Sequence, residues 1–319
     1  MRIVFRFIAI VSLAFTLSNS YAQEYPTRTI RMIVAGPPGQ SSDIGARFYA
    51  EKLAAMFKQP VVIDNRPGAN AIIGVQTVLQ APADGYTIFA AGASPMAMNV
   101  ALYKTLPYDA VRDFRFVSGM QKGMTVMVVP AKSPYRTVAD LIKAARDKPR
   151  AINYASYAAV YQLVSEWLAQ LGDASFTHVP YKGGAQALTD VAGGRVDFAI
   201  ADITALPLVQ GGQLRALAVT GDQRLARLPD VPTMREAGYP ALVHYGWTSL
   251  AVRAGTPDPI VRKLSSAFLA IMATSEAREH AARQGNEVNA IGYEEMGAFQ
   301  IQEIAKFKRV MASAGIQPE

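Results

Sequence analysis

The 319-residue chain carries 32 Lys and Arg against 25 Asp and Glu, a formal net charge of +7, with half of its residues apolar and no cysteine. The lack of cysteine excludes a disulfide scaffold and thiol chemistry, so the core has to come from buried apolar surface, which about 300 residues supply, more naturally in two domains than in one. The basic surplus is spread without a dense Lys/Arg run interleaved with aromatics, a pattern that steers small anions and argues against a nucleic-acid partner.

Arg2 and Arg6 precede the uncharged run FIAIVSLAFTL, which is short for a bilayer span, and Ser20 and Ala22 stand at the third and first positions before a cut at Gln23. Residues 1–22 are expected to be a signal peptide cleaved near Ala22, which places the mature protein in the periplasm; an uncleaved amphipathic start or membrane anchor is the other reading. Cleavage removes Arg2 and Arg6 and lowers the charge by two, to +5. From there TIRMIVA, SDIGARFYAEKLAAMF, PVVIDN, AIIGVQTVLQ and YTIFAAG alternate short apolar runs with segments of helical length, the βαβ rhythm of an α/β sheet. The rhythm restarts after Lys122 with TVMVVP, TVADLIKAARD, INYAS, LVSEWLAQL, FTHVPY, GAQALTDVAGG, VDFAIAD and LRALAVT. From Pro257 onward the pattern is helical, ending in a long segment from Tyr293 to Ala314. Crossovers around Gly119–Val126 and His244–Val252 insert the second unit within the first. This gives lobe 1 over 23–124 and 247–319 and lobe 2 over 125–246, with a ligand cleft between them.

The segment AGPPGQSSDIGAR follows the first strand: Pro37, Pro38 and Gly39 break it, Ser41 or Ser42 caps a helix, and Asp43 lies near the helix's positive end. Such a turn offers free backbone N–H groups to a carboxylate or phosphate, although an ordinary capped βα turn has the same signature. It lacks the Lys-Ser/Thr of a nucleotide phosphate loop and the GxGxxG of a dinucleotide site, so no cofactor is expected. Small or hydroxyl residues recur after other strands, in AAGASPMAMN, YASYAAVY, VPYKGGAQAL and ADITAL. Lys182, before Gly183 and Gly184, approaches an anion or lies on the surface, and Trp247 beside the second crossover faces the ligand or the core. His178, His244 and His280 are too far apart for a local metal motif, Glu294 and Glu295 read as a solvated helix face, and no GxSxG elbow occurs, so no catalytic or metal residues are expected.

YPTRTIRMIVAGPPGQSSDIGAR, QPVVIDNRPGANAIIG, ADGYT, LPYDAVRDF, HVPYKGGAQALTDVAGGRVD, GQLRALAVT, LPDVPTMREAGYP and GTPDPIVRKL occur in this order from Tyr25 to about Gly315. In this the chain resembles the Bug-type extracytoplasmic solute receptors of the tripartite tricarboxylate transporter system. The resemblance implies a type II-like periplasmic binding protein, with two α/β lobes joined by two crossover strands. It would hold a small organic acid through backbone groups and water and deliver it, as a monomer, to a two-component membrane permease. A receptor presenting its bound state to a membrane sensor kinase would have the same fold; a periplasmic enzyme is the third class.

Carried over by motif, the ligand-binding set is Pro38, Gly39, Gln40, Ser41 and Asp43 with Ser94 in the first lobe, and Ser156, Lys182, Gly183, Gly184 and Asp202 in the second. Gln40 stands where the family usually has a second glycine, and SYAAVY replaces a glycine-rich turn and is about two residues shorter before Glu166. These departures bring in Tyr157 and Tyr161 and, with Trp247, point to a carboxylate with an apolar or aromatic body rather than a small polyanion.

Overall fold

The computed structural model describes residues 25–313 and 316–318; the expected signal peptide lies outside the described residues. Eleven strands among them form two sheets. The first runs β11-β4-β10-β3-β1-β2 and the second β7-β6-β8-β5-β9, with β1 Ile30–Val34, β2 Val61–Asn65, β3 Thr87–Gly92, β4 Phe114–Met124, β5 Val126–Pro130, β6 Asn153–Ser156, β7 Thr177–Pro180, β8 Phe198–Ala201, β9 Leu214–Val219, β10 Tyr245–Arg253 and β11 Glu287–Val288. Helices α1 Ser41–Phe57 and α2 Ile72–Leu79 connect the parallel strands β1, β2 and β3. In the second sheet α5 Ala159–Leu171 and α6 Gly184–Ala192 do the same for β6, β7 and β8. Helices α3 Asn99–Leu102, α4 Val138–Asp147, α7 Leu206–Gln210, α8 Asp258–Met272 and α9 Ser275–Arg283 lie between the other strands in sequence.

One rule of direction organises both sheets. A strand arriving from the other lobe runs away from the cleft, opposite to strands that end at it. So β10 is antiparallel to β3 and β4, and β5 is antiparallel to β8 and β9. The turns that face the cleft therefore follow the C-terminal ends of β1, β2, β3, β6, β7 and β8. Predominantly apolar strands such as β1, whose Ile30, Met32, Ile33 and Val34 are buried, are what a sheet covered on both faces requires.

The two crossovers are tied together at one point. Thr220 Oγ1 accepts from the Thr125 N–H at 2.9 Å and donates to the His244 carbonyl at 2.7 Å. The Thr220 carbonyl accepts from the His244 N–H at 2.8 Å. The long last helix, α10 Tyr293–Ser313, packs on β4 of the first lobe and on α5 of the second. This is the two-lobed α/β periplasmic-binding-protein fold expected from the alternation of elements.

Candidate functional site

A cavity of about 490 Å³ lies between the two sheets, lined by turns of both lobes and by the crossover strands. Its first-lobe wall begins with α1, whose first turn, Ser41 to Asp43, has N–H groups that no carbonyl within the helix can satisfy. Gln40 and Ser41 line the cavity, as does Ser94 after β3, whereas Pro38, Gly39 and Asp43 do not. Asp43 is held inside the turn. Its carboxylate accepts from the Gly39 N–H, from Arg47 Nε and from Asn65 Nδ2, each at 2.9 Å. Burial alone would raise its pKa, but these bonds outweigh it and leave the carboxyl below its usual range. Asp43 thus shapes the turn and has little left to offer a ligand. The Gln40 side chain folds back over Gly36, where a Cβ would meet Gln40 Oε1 at 2.6 Å, so it fills its own turn.

A second segment of this wall was not singled out from the sequence. Residues 67–71 line the cavity, and Gly68, Ala69, Asn70 and Ala71 all have positive φ, 118°, 46°, 47° and 74°. Left-handed backbone is costly for alanine, and it is braced from behind. Asn70 Nδ2 donates to the Tyr103 hydroxyl at 2.6 Å, and the Asn70 carbonyl accepts from Asn99 Nδ2 at 3.0 Å. Gly68 and Asn70, the two residues most tolerant of this conformation, were the only signal for the arc.

The second-lobe wall carries Tyr157, Tyr161, Lys182 and Asp202, whereas Gly183 and Gly184 are not part of the lining. The two tyrosine rings lie 4.4 Å apart, centroid to centroid, and are 9% and 7% exposed, so they belong to the lobe's core and present only an edge of their surface to the cavity. The Tyr157 hydroxyl donates to Asp202 Oδ1 at 3.3 Å and accepts from the Asp202 N–H at 3.1 Å. Burial, followed by the Asp202 charge, pushes both tyrosines well above their ordinary range. Burial likewise raises the Asp202 carboxyl, against bonds from Thr204 and the two tyrosines. Ser156 lies outside the lining. It is buried with its Oγ 2.6 Å from His178 Nε2. Trp247 lines the cavity, but its indole N–H donates to Glu303 at 2.9 Å and its ring packs edge-on against Phe299, which ties the side chain to α10.

Among the described lining residues the cationic side chains are Lys122 and Lys182 and the acidic one is Asp202. Lys122 pairs with Glu287 at 3.5 Å and Lys182 is exposed. An anion in this cavity is therefore met chiefly by backbone N–H groups, hydroxyls and side-chain amides. The histidines are separate: His178 on Ser156, His244 at the crossovers and His280 stacked on Phe48. Among the described residues no three His, Asp or Glu side chains cluster so as to hold a metal ion, nor is any of their helices long and apolar enough to cross a membrane.

Residues 45–316 match the family described as "Tripartite tricarboxylate transporter family receptor". The protein BugT of Bordetella pertussis is 33% identical over 316 residues, covering 97% of this chain and 95% of its own. Among solved structures, R. palustris Rpa4515 with adipate superposes with a TM-score of 0.89 at 33% identity, covering 93% of this chain and 100% of that one. MatC (Rpa3494) from Rhodopseudomonas palustris with bound malate gives 0.85 at 27% identity, covering 90% and 99%. The chain belongs to this family: it is a Bug-type periplasmic solute-binding receptor of the tripartite tricarboxylate transporter group.

Proposed function

We propose that this receptor captures an organic acid between its lobes in the periplasm, after removal of residues 1–22, and delivers it as a monomer to a two-component permease of the tripartite type. The observation that carries this is the cavity itself, placed where the strands of both sheets end and supplied with neutral donors around α1 instead of guanidinium groups. Two neighbours of the same fold hold adipate and malate, and a cavity of about 490 Å³ accommodates acids of that size and larger. Tyr157 and Tyr161 favour a carboxylate with an apolar or aromatic body over a polyanion, because they occupy the place of a glycine-rich turn and bring no positive charge. The ligand-binding residues are Gln40, Ser41, Ser94, Tyr157, Tyr161 and Lys182, with Asp202 lining the same cavity as a charge and lobe boundaries near residues 124 and 246.

Mass spectrometry of small molecules retained on the purified protein, with a thermal-shift panel of adipate, malate, benzoate, phthalate and citrate, tests this. An unchanged acid on the protein and a rise in Tm with a mono- or dicarboxylate are expected. A turnover product, or tightest binding to citrate, counts against it.

Delivery by lobe closure is tested at the cleft mouth, where a Cβ on Gly183 would lie 3.1 Å from Pro37 Cγ of the opposite lobe. Gly183→Trp is expected to wedge the lobes apart and weaken acid binding at least about tenfold. In small-angle scattering the native protein should shrink with a bound acid and the variant should not. Equal shrinkage in both would refute closure at this contact.

A further inference from the structure

The wall built by α1 contains a polar trio. Ser41 Oγ accepts from Gln121 Nε2 at 3.0 Å and from Asn286 Nδ2 at 3.1 Å. Gln121 and Asn286 are 4% and 9% exposed, and all three residues line the cavity. The orientation of the Gln121 amide is fixed by a second bond, since the same Nε2 donates at 3.0 Å to the Ser41 carbonyl, which can only accept. A hydroxyl has two lone pairs and one proton. With both lone pairs engaged by amide N–H groups, Ser41 has only its proton left to offer, and the two incoming bonds polarise it into a stronger donor.

Both amides sit in slots that glycines leave open. A Cβ on Gly45 would come within 2.7 Å of Gln121 Oε1, and one on Gly123 within 2.0 Å of Asn286 Oδ1. The trio is not what holds the start of α1 in place, because Asp43 does that from the other side through Gly39 and Asn65. Three separate segments, α1, β4 and the turn before β11, thus converge on the direction of one O–H bond.

We propose that Ser41 is a specificity-determining residue: an obligate hydrogen-bond donor, oriented by Gln121 and Asn286 as positioning residues, that reads an ionised carboxylate oxygen of the ligand. The inference rests on the reading of the cleft as a carboxylate site and assigns the atom that makes it one. An ammonium group cannot accept this bond, and a neutral hydroxyl accepts it more weakly than a carboxylate does. Placed at the first position of α1, the hydroxyl adds to the N–H groups of the same helix end.

Calorimetry with adipate, hexanoate and benzoate, each beside the analogue carrying CH₂OH in place of one carboxylate, tests this on the native protein and two variants. Ser41→Ala is expected to lower affinity for the acid by about 10- to 100-fold and for the alcohol by no more than about threefold, with the Tm of the unliganded protein within about 2 °C of native. Gly45→Ala touches no ligand; it improves helix propensity but pushes the Gln121 amide aside. It should lower the acid-to-alcohol ratio, and crowding of the buried Gln121 and Met120 should lower the unliganded Tm by a few degrees at most. No loss in Ser41→Ala, or an equal loss for acid and alcohol, overturns the role of Ser41, and an unaltered ratio in Gly45→Ala overturns the positioning by Gln121. If the native protein binds none of the three acids, the carboxylate reading itself fails and the inference with it.

Discussion

Replacing His244 with leucine is expected to spare the protein about 3 kcal/mol of the stability that the native chain loses between pH 7 and pH 4. His244 is 1% exposed at the second crossover, close to Phe307 and tied by its backbone to Thr220. Burial, and then the positive charge of Lys306, push its imidazole down from the ordinary 6.5 to about 3. Lys306 is itself paired with Glu303 at 2.8 Å, and the threonines of the crossover bring no charge. In the folded protein the ring therefore stays neutral, while in the unfolded chain it takes up a proton as the pH falls through about 6.5. Only the unfolded state gains from that proton. The stability linked to His244 is intact above about pH 6.5 and is lost progressively as the pH falls towards 3. Carboxylates elsewhere titrate alike in native and variant proteins and cancel in the comparison. Urea denaturation of both at pH 7 and pH 4 measures the difference, and parallel losses would show that His244 is not the group responsible.

Asp202→Asn is expected to tighten binding of a dicarboxylate by about tenfold and of a monocarboxylate by less. Asp202 follows β8 and caps the short helical turn that comes next, accepting from the Thr204 N–H at 3.1 Å, from the Thr204 hydroxyl and from the Tyr157 hydroxyl. These bonds satisfy the carboxylate without any cation among its partners, so its negative charge acts on whatever occupies the cavity. At about 8 Å and an effective dielectric near 20, the repulsion of a ligand carboxylate is about 2 kcal/mol. Screening reduces it, and the nearer end of a dicarboxylate feels most of it. Asparagine keeps an oxygen for the Thr204 cap and loses the charge. Calorimetry with adipate and hexanoate reads the effect. Weaker binding of both acids would instead make Asp202 a direct acceptor of a ligand or water proton.

Why the fold was legible and half of the site was not follows from the range of the interactions. Runs such as VMVVP, buried from Val126 to Val129, and amphipathic segments such as Val138–Asp147 carry their period within a few residues. The edge strand Glu287–Val288 is two residues long and has no period to read. In the site, the strand break and helix start at 37–43 are local signals, and Gln40, Ser41 and Ser94 do line the cavity. Gln121 and Asn286 reach Ser41 from 80 and 245 residues away, and Glu303 takes the Trp247 indole from 56 residues away; no local pattern encodes these pairs. Asp43 and Ser156 have the residue types expected of an anion site, yet their polar atoms are already engaged by Arg47, Asn65 and His178. Residue type states what a group can bond, and only packing decides what remains unbonded.

The position of β10 in the sheet has a consequence for the order in which the chain acquires structure. This strand sits between β3 and β4, so until residues 245–253 are in place the first sheet exists as two fragments, β1 to β3 and β4 alone, with open edges. Every strand of the second sheet lies within residues 126–219, a continuous stretch complete before β10 begins. An open edge of β3 offers its unpaired N–H and carbonyl groups to any other chain, and pairing across such a separation is slow to form. On a chain emerging from its N-terminus, the lobe whose strands appear first is thus the last to close, around a neighbour already folded.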